Sequence, residues 1–218
     1  MLSIEDNPQH QGLRTRLVNL LRDKGIVNED VLTAMGKVPR HLFIDSSFIR
    51  FAYKDQAFPI AAGQTISQPY TVAQQSELLS VKVGDKVLEV GTGSGYQAAV
   101  LTAMGVKVYT IERQKELYSK TQHLLPEIGY RPYFYYGDGY EGLPQFAPFD
   151  GIIITAAAPE VPKALLRQLK IGGKMVIPVG EEENNQRMTV ITRLTEKKFE
   201  QRIMGNCAFV PMLEGVNG

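Results

Sequence analysis

The stretch Val87-Leu88-Glu89-Val90-Gly91-Thr92-Gly93-Ser94-Gly95-Tyr96 constrains this chain more than any other. Val87, Leu88 and Val90 form an apolar run bounded by Gly84-Asp85 and by glycines, which reads as a strand buried in a parallel sheet. Three alternating glycines follow, and glycine lets a chain turn sharply while a ligand touches the backbone. Tyr96 to Met104 then reads as a helix. A strand, a glycine turn and a helix N-terminus together accommodate a polar ligand group. A second apolar strand, Val106 to Ile111, ends at Glu112. A carboxylate at that strand tip can accept hydrogen bonds from both hydroxyls of a ribose.

The glycine spacing narrows the ligand. A dinucleotide site uses G-x-G-x-x-G, which seats a pyrophosphate on the helix N-terminus. Here Tyr96 stands in the sixth position, and the pattern is G-x-G-x-G. It resembles the first motif of the Rossmann-like S-adenosylmethionine-dependent methyltransferases, whose loop cradles an amino-acid end and a ribose. For the glycines alone, a turn in some other α/β domain is the competing reading; Glu112 and the alternating elements around it argue against that.

Upstream, Leu13, Leu17, Leu20 and Leu21 recur at helical spacing, with Gly25 as a stop. Asn28 is placed to cap a second helix, with Glu29-Asp30 in its first turn and Pro39 after it. Pro39 to Tyr70 is irregular. Pro69 suits the first turn of a third helix, about Pro69 to Leu79, so Ser67 or Gln68 falls near its N-cap, and capping is the ordinary reading of a serine there.

Downstream, strands and helices alternate, which predicts a mostly parallel sheet with helices on both faces. A helix is expected from Gln114 to Leu125, closed by Pro126, and an edge strand from Arg131 to Tyr136. Phe149 to Thr155 is expected to be the next strand, followed by a helix from Glu160 to Leu169. Gly172-Gly173 is expected to turn into a strand from Lys174 to Val179. Glu181 to Gln186 is a charged loop, and Met188 to Leu194 with Lys198 to Ile203 reads as an antiparallel pair.

Composition excludes several classes. Hydrophobic residues are 44% of 218, enough for a packed core, and 24 basic against 23 acidic residues give no electrostatic case for nucleic acid. A single cysteine, Cys207, rules out a disulfide framework within the chain and suits a reducing compartment. Met1 to Gly12 is unlike a signal peptide, and no apolar run approaches the ~20 residues of a membrane span. His10, His41 and His123 are scattered without ligand spacing, so no metal is expected.

Beyond the glycine motif, the chain resembles the protein-L-isoaspartate O-methyltransferases, the protein repair methyltransferases. The likeness runs through Val38-Pro39-Arg40, Ala57-Phe58-Pro59-Ile60, Gly63-Gln64-Thr65-Ile66-Ser67-Gln68-Pro69, Leu88 to Tyr96, Gly137-Asp138-Gly139, Phe149 to Ile153 with Thr155-Ala156-Ala157, Ile177-Pro178-Val179-Gly180 and Phe209-Val210-Pro211. The glycine motif is shared by many methyltransferases; Gly63 to Pro69 is far more specific. Ala61 stands where the family usually has glycine and Phe58 where leucine is common, departures that could narrow a substrate groove.

The resemblance implies an α/β fold of the class I methyltransferases: one domain with a mostly parallel seven-stranded sheet, its last two strands exchanged relative to other methyltransferases. Residues 1–80 would form N-terminal helices and a substrate loop, 81–180 the cofactor core, and 181–218 the C-terminal antiparallel strands. The implied reaction moves a methyl group from S-adenosyl-L-methionine to the free α-carboxylate of an L-isoaspartyl residue. The ester then collapses to a succinimide, whose hydrolysis returns some aspartate. Ser67 would hold the acceptor carboxylate, with Thr65, Ile66, Pro59 and Ile60 along the substrate. The cofactor would contact Gly91, Thr92, Gly93, Gly95, Glu112, Asp138 and Gly139, and Glu89, which precedes the loop, would either meet the methionine amino group or orient the loop. Asp138 between two glycines also reads as a plain turn residue.

The implied partners are age-damaged proteins and peptides carrying isoaspartate, met by a cytoplasmic monomer without nucleic acid or membrane. Two other readings share some of these features. A methyltransferase for a small molecule or RNA would share the cofactor half but not the Gly63 to Pro69 segment. A non-catalytic adaptor would be expected to carry an extension beyond Pro211.

Overall fold

Asn28 accepts hydrogen bonds from the amides of Asp30 and Val31, and so starts a helix where its sequence position says it should. The computed structural model describes residues 6–181 and 185–218. The first residues of the Met1–Gly12 stretch and the middle of the Glu181–Gln186 loop lie outside the described residues. Helices α1 (Pro8–Asp23) and α2 (Glu29–Lys37) come first. A short antiparallel pair, β1 (Phe58–Pro59) and β2 (Thr65–Ile66), leads to α3 (Pro69–Leu79).

The core continues as β3 (Lys86–Val90), α4 (Tyr96–Ala103), β4 (Lys107–Glu112), α5 (Lys115–Glu127), β5 (Tyr133–Tyr136), β6 (Phe149–Ile154), α6 (Lys163–Gln168), β7 (Leu169–Val179), β8 (Gln186–Arg193) and β9 (Phe199–Cys207). Seven of these strands form one sheet in the order β5-β4-β3-β6-β7-β8-β9. The strands from β5 to β7 are mutually parallel; β8 and β9 add antiparallel. The last two strands thus follow β7 in chain order, as the resemblance implied.

Alternation along the strands builds two cores. Val87, Ile153 and Val176 face the core that includes α1 to α4, while Leu88, Ile152, Ile154, Met175 and Ile177 face the other. Because β3 leads outward to β4 and β5 on one side and β6 leads to β7 on the other, a crevice opens at the C-terminal ends of β3 and β6. Open α/β sheets bind ligands at such a reversal.

Among the boundaries that differ from the sequence expectation, three have a clear local reason. Pro126 lies inside the last turn of α5 rather than closing it. Pro162 holds an extended conformation as the N-cap of α6, so this helix starts at Lys163 and not at Glu160. Gly172-Gly173 is not a turn before a strand. It lies within β7, with Gly172 at φ +84° and a register shift opposite Phe149 and Gly151, which marks a bulge.

Candidate active site

The crevice at the strand tips is a cavity lined by β3 and its glycine loop, the end of β4, the tip of β6, the Gln64–Ser67 segment and Val210 to Leu213. Each wall has a covalent or hydrogen-bonded reason to be there.

The glycine loop is tied at three points. Gly91 N–H donates to Ile111 O at 2.9 Å, Gly93 N–H donates to Glu112 Oε2 at 2.9 Å, and Thr155 Oγ1 donates to Gly91 O at 2.6 Å. The glycines divide the work. A Cβ on Gly91 would sit 2.5 Å from Thr155 Oγ1, and one on Gly95 would sit 2.4 Å from Leu125 Cδ1, both at positive φ. Those two permit close packing. A Cβ on Gly93 would meet only Ile60 Cδ1, at 4.0 Å, so it borders open space.

Glu112 is 5% exposed and accepts from two amides, Gly93 N–H and Gln114 N–H, both at 2.9 Å. A carboxylate has about four lone-pair directions, so two remain for a ligand's hydroxyls. Glu89 stands behind the wall. It is fully buried; Thr110 Oγ1 donates to its Oε2 at 2.5 Å, and Thr110 Oγ1 in turn lies 2.6 Å from Thr92 Oγ1 on the loop. Its Oε1 has no partner among the described residues. Burial, with the Glu112 charge nearby adding to it, pushes its carboxyl up to about 8. A neutral Glu89 therefore braces the loop through two threonines.

The segment from Gln64 to Ser67 forms the opposite wall. Phe58 pairs with Ile66 and Pro59 with Thr65, which sets this short ribbon beside the loop. The α3 helix that follows Ser67 has no cap from its own N-cap side chain. Asp55 supplies it instead: its Oδ1 accepts from Tyr70 N–H at 2.8 Å, and its Oδ2 accepts from Gln68 Nε2 at 3.0 Å and from Lys24 Nζ. The Ser67 hydroxyl has no hydrogen-bond partner among the described residues, while the Ser67 carbonyl accepts from Arg40 Nη2 at 2.7 Å.

The structure thus brings Thr65, Ile66, Ser67, Gly91, Thr92, Gly93, Glu112 and Gly139 to one cavity. It does not bring the other sequence candidates to the wall. Glu89 lies beneath the loop, and Gly95 starts α4 against Leu125. Pro59 and Ile60 hold the ribbon, Ile60 N–H donating to Gln64 O at 2.8 Å. Asp138 makes the turn its glycines suggested: Oδ1 accepts from Tyr140 N–H at 2.8 Å and Oδ2 from Gly215 N–H at 2.6 Å, anchoring the C-terminal segment. Phe58 does not line the cavity, being 3% exposed with its ring 5.6 Å from that of Phe48, and Ala61 is outside the lining as well.

Sequence reasoning missed the C-terminal wall. Gln186 brackets Phe209, donating to its carbonyl at 3.0 Å and accepting from its amide at 2.6 Å. Ala157 N–H donates to Val210 O, and Met212 N–H to Ala157 O, which lays Val210 to Leu213 across the crevice. The Phe209-Val210-Pro211 match was the available signal. Arg113 and Gln114, just past the second strand, also line the cavity and carried none.

The histidines are not all scattered, as expected from sequence. His10 and His41 stack with ring centroids 3.8 Å apart, and with Asp6 they offer ligand-type atoms within 4.8 Å of one another. Both oxygens of Asp6 already accept from Arg14, at 2.8 and 2.6 Å. Burial, then His10, lowers His41 to about 4, so it is neutral. None of these residues lines the cavity.

Known proteins match this chain over nearly its whole length. The family model for protein-L-isoaspartate(D-aspartate) O-methyltransferase matches residues 13–217. A protein-L-isoaspartate O-methyltransferase from Flavobacterium psychrophilum is 61% identical over 215 residues, covering 98% of this chain and 100% of that one. Another, from Christiangramia forsetii, is 59% identical with the same coverage. Among solved structures, one of a protein-L-isoaspartate O-methyltransferase from Plasmodium falciparum, in complex with S-adenosyl-L-homocysteine, superimposes with a TM-score of 0.78 at 27% identity, covering 96% of this chain and 99% of that one.

Proposed function

The chain belongs to the protein-L-isoaspartate(D-aspartate) O-methyltransferase family, and from that premise we propose that Ser67 holds the acceptor carboxylate while Glu112 holds the cofactor ribose. The enzyme transfers a methyl group from S-adenosyl-L-methionine to the free α-carboxylate of L-isoaspartyl residues in proteins and peptides, the step that opens their repair through a succinimide.

The residues around the cavity fit that cofactor. Glu112 keeps lone pairs for ribose hydroxyls, and Gly93 leaves its side of the loop open to the amino-acid end. Thr92 and Gly139 complete this wall. The cofactor supplies an electrophilic methyl group on a sulfonium. The protein's part is alignment, because the acceptor, a carboxylate with pKa near 4, is ionised at pH 7 and needs no general base. No histidine lines the cavity. Correct placement of two reactants is worth ~7–11 kcal/mol.

One observation carries the assignment of Ser67. Asp55 caps α3, so the hydroxyl that a serine at this position would ordinarily spend on the helix is left free beside the cavity. Thr65 and Ile66 supply the adjoining backbone. Glu89 and Gly95 act in this reading as supports of the cofactor loop, Pro59 and Ile60 as supports of the acceptor ribbon, and Asp138 as the anchor of the closing segment. The near-balanced charge argues against nucleic-acid binding and the single cysteine suits a cytoplasmic setting; a monomer with residues 1–218 as one methyltransferase domain completes the proposal. No helix among the described residues is long and apolar enough to cross a membrane.

Ser67→Ala tests the assignment. Single-turnover methylation of an isoaspartyl peptide should fall about tenfold or more for a lost hydrogen bond to a charged group. The affinity for S-adenosylhomocysteine and the melting temperature should stay as they are. A normal turnover, with the loss appearing as stability instead, would return Ser67 to helix capping.

A further inference from the structure

Arg40 is the largest of the fully buried side chains. No carboxylate among the described residues forms an ion pair with it. A buried cation without a counter-ion is costly, so its fixed hydrogen bonds must offset the desolvation. Those bonds all go to backbone carbonyls, one of them on the acceptor segment, while Nη1 has no hydrogen-bond partner among the described residues. Nε donates to Ala52 O at 3.1 Å, and Nη2 donates to Gln56 O at 3.5 Å and to Ser67 O at 2.7 Å. The last is the short one. On its face, the guanidinium lies 4.6 Å from the ring centre of Tyr96, the first residue of α4 after the glycine loop. Tyr96 is held in turn by Phe43, ring edge to ring face at 5.3 Å, and by Met35 Sδ at 3.6 Å.

We infer that Arg40 is a positioning residue for methyl transfer: seated on Tyr96, it fixes the Ser67 peptide and so the distance between the Ser67 hydroxyl that holds the acceptor carboxylate and the cofactor loop. The inference rests on the reading of Ser67 as the residue that holds the acceptor. A flat fork suits this task where a point charge does not. Arginine presents several donors in one plane and stacks on an aromatic ring, whereas lysine can do neither. Burial lowers the guanidinium only to about 10, so it stays charged at neutral pH. The fork spans Ala52 and Ser67 at once, adding to the Asp55 contacts with Gln68 and Tyr70 a tie placed on the Ser67 peptide itself.

The test is Arg40→Lys, alone and combined with Ser67→Ala, in the full chain. With cofactor and isoaspartyl peptide both saturating, the single-turnover rate of Arg40→Lys should fall by about tenfold to a hundredfold, the range for a small misplacement of a reacting group. The dissociation constant for S-adenosylhomocysteine should stay within about twofold, and in the Ser67→Ala background the same substitution should lower the rate by less than about twofold, since residues acting through one contact are not additive. An unchanged rate in Arg40→Lys, or an equal loss with and without the Ser67 hydroxyl, overturns the inference while leaving the Ser67 assignment standing. If Ser67→Ala itself leaves the rate unchanged, that assignment falls, and this inference with it. Should Arg40→Lys fail to fold, the hydroxy-acid analogue of glutamine at position 68 keeps Arg40 and turns the Ser67 carbonyl into a weaker, ester acceptor. Its rate should then drop several-fold, and a wild-type rate there overturns the inference equally.

Discussion

Glu112→Ala separates two functions that one carboxylate combines. In the free protein Glu112 accepts from Gly93 N–H and Gln114 N–H, both at 2.9 Å. Each is a hydrogen bond to a charged group, worth about 1.5–3 kcal/mol, and the Gln114 amide is left buried when the acceptor goes. Water entering from the cavity restores part of the loss, so the variant should be destabilised by about 2–4 kcal/mol. For a domain of this size that is a drop of roughly 5–15 °C in melting temperature. In the complex, two further bonds to ribose hydroxyls are lost, about 3–6 kcal/mol together, or a factor of ~10²–10⁴ in affinity. Calorimetric titration with S-adenosylhomocysteine, below the variant's melting temperature, measures the second effect apart from the first. Glu112→Gln keeps one acceptor oxygen and should fall between. An unchanged dissociation constant in Glu112→Ala would remove this residue from the ribose site, and an unchanged melting temperature would refute its role as a tie for the glycine loop.

Two more outcomes concern Asp55 and Glu89. Asp55→Ala removes the cap of α3 and should cost about 1–2 kcal/mol by denaturant melting, where Ser67→Ala should cost nothing measurable; the reverse ranking would mean that Ser67 is the cap. Glu89 is raised to about 8 in the folded protein from 4.5 when exposed, so the native state holds the extra proton between those values. Its contribution to stability is complete below about pH 4.5 and is lost as pH rises toward 8. Between pH 5 and 8 the wild type should therefore lose on the order of 3 kcal/mol relative to Glu89→Gln, and parallel stability curves for the two would show that Glu89 is ionised when folded.

The sheet was legible because β3, β4 and β6 are largely apolar runs, as buried parallel strands require, with Gly91 and Glu112 marking the ends of the first two. Strand order beyond β7 was not in that pattern and came only with the family likeness. The boundaries that shifted did so at prolines and glycines whose local preference has two solutions: Pro126 ends a helix or occupies its last turn, and Gly172-Gly173 turns a chain or bulges a strand. At the site, Gly91, Gly93 and Glu112 were readable from spacing. The cap of α3 was not, because Asp55 reaches it from across a loop, and sequence position made Ser67 the natural candidate. The stacking of His10 on His41 and the reach of Arg40 to Ser67 are likewise long-range contacts that no local spacing encodes.

The central claim is that this cavity methylates an isoaspartyl carboxylate and rejects the ordinary aspartyl one. The direct measurement offers the protein labelled S-adenosyl-L-methionine with an isoaspartyl peptide or with its aspartyl twin of identical sequence, and reads acid-quenched methyl ester. Label is expected in the isoaspartyl peptide alone. Equal labelling of both peptides, or of neither while the cofactor binds normally, would contradict it.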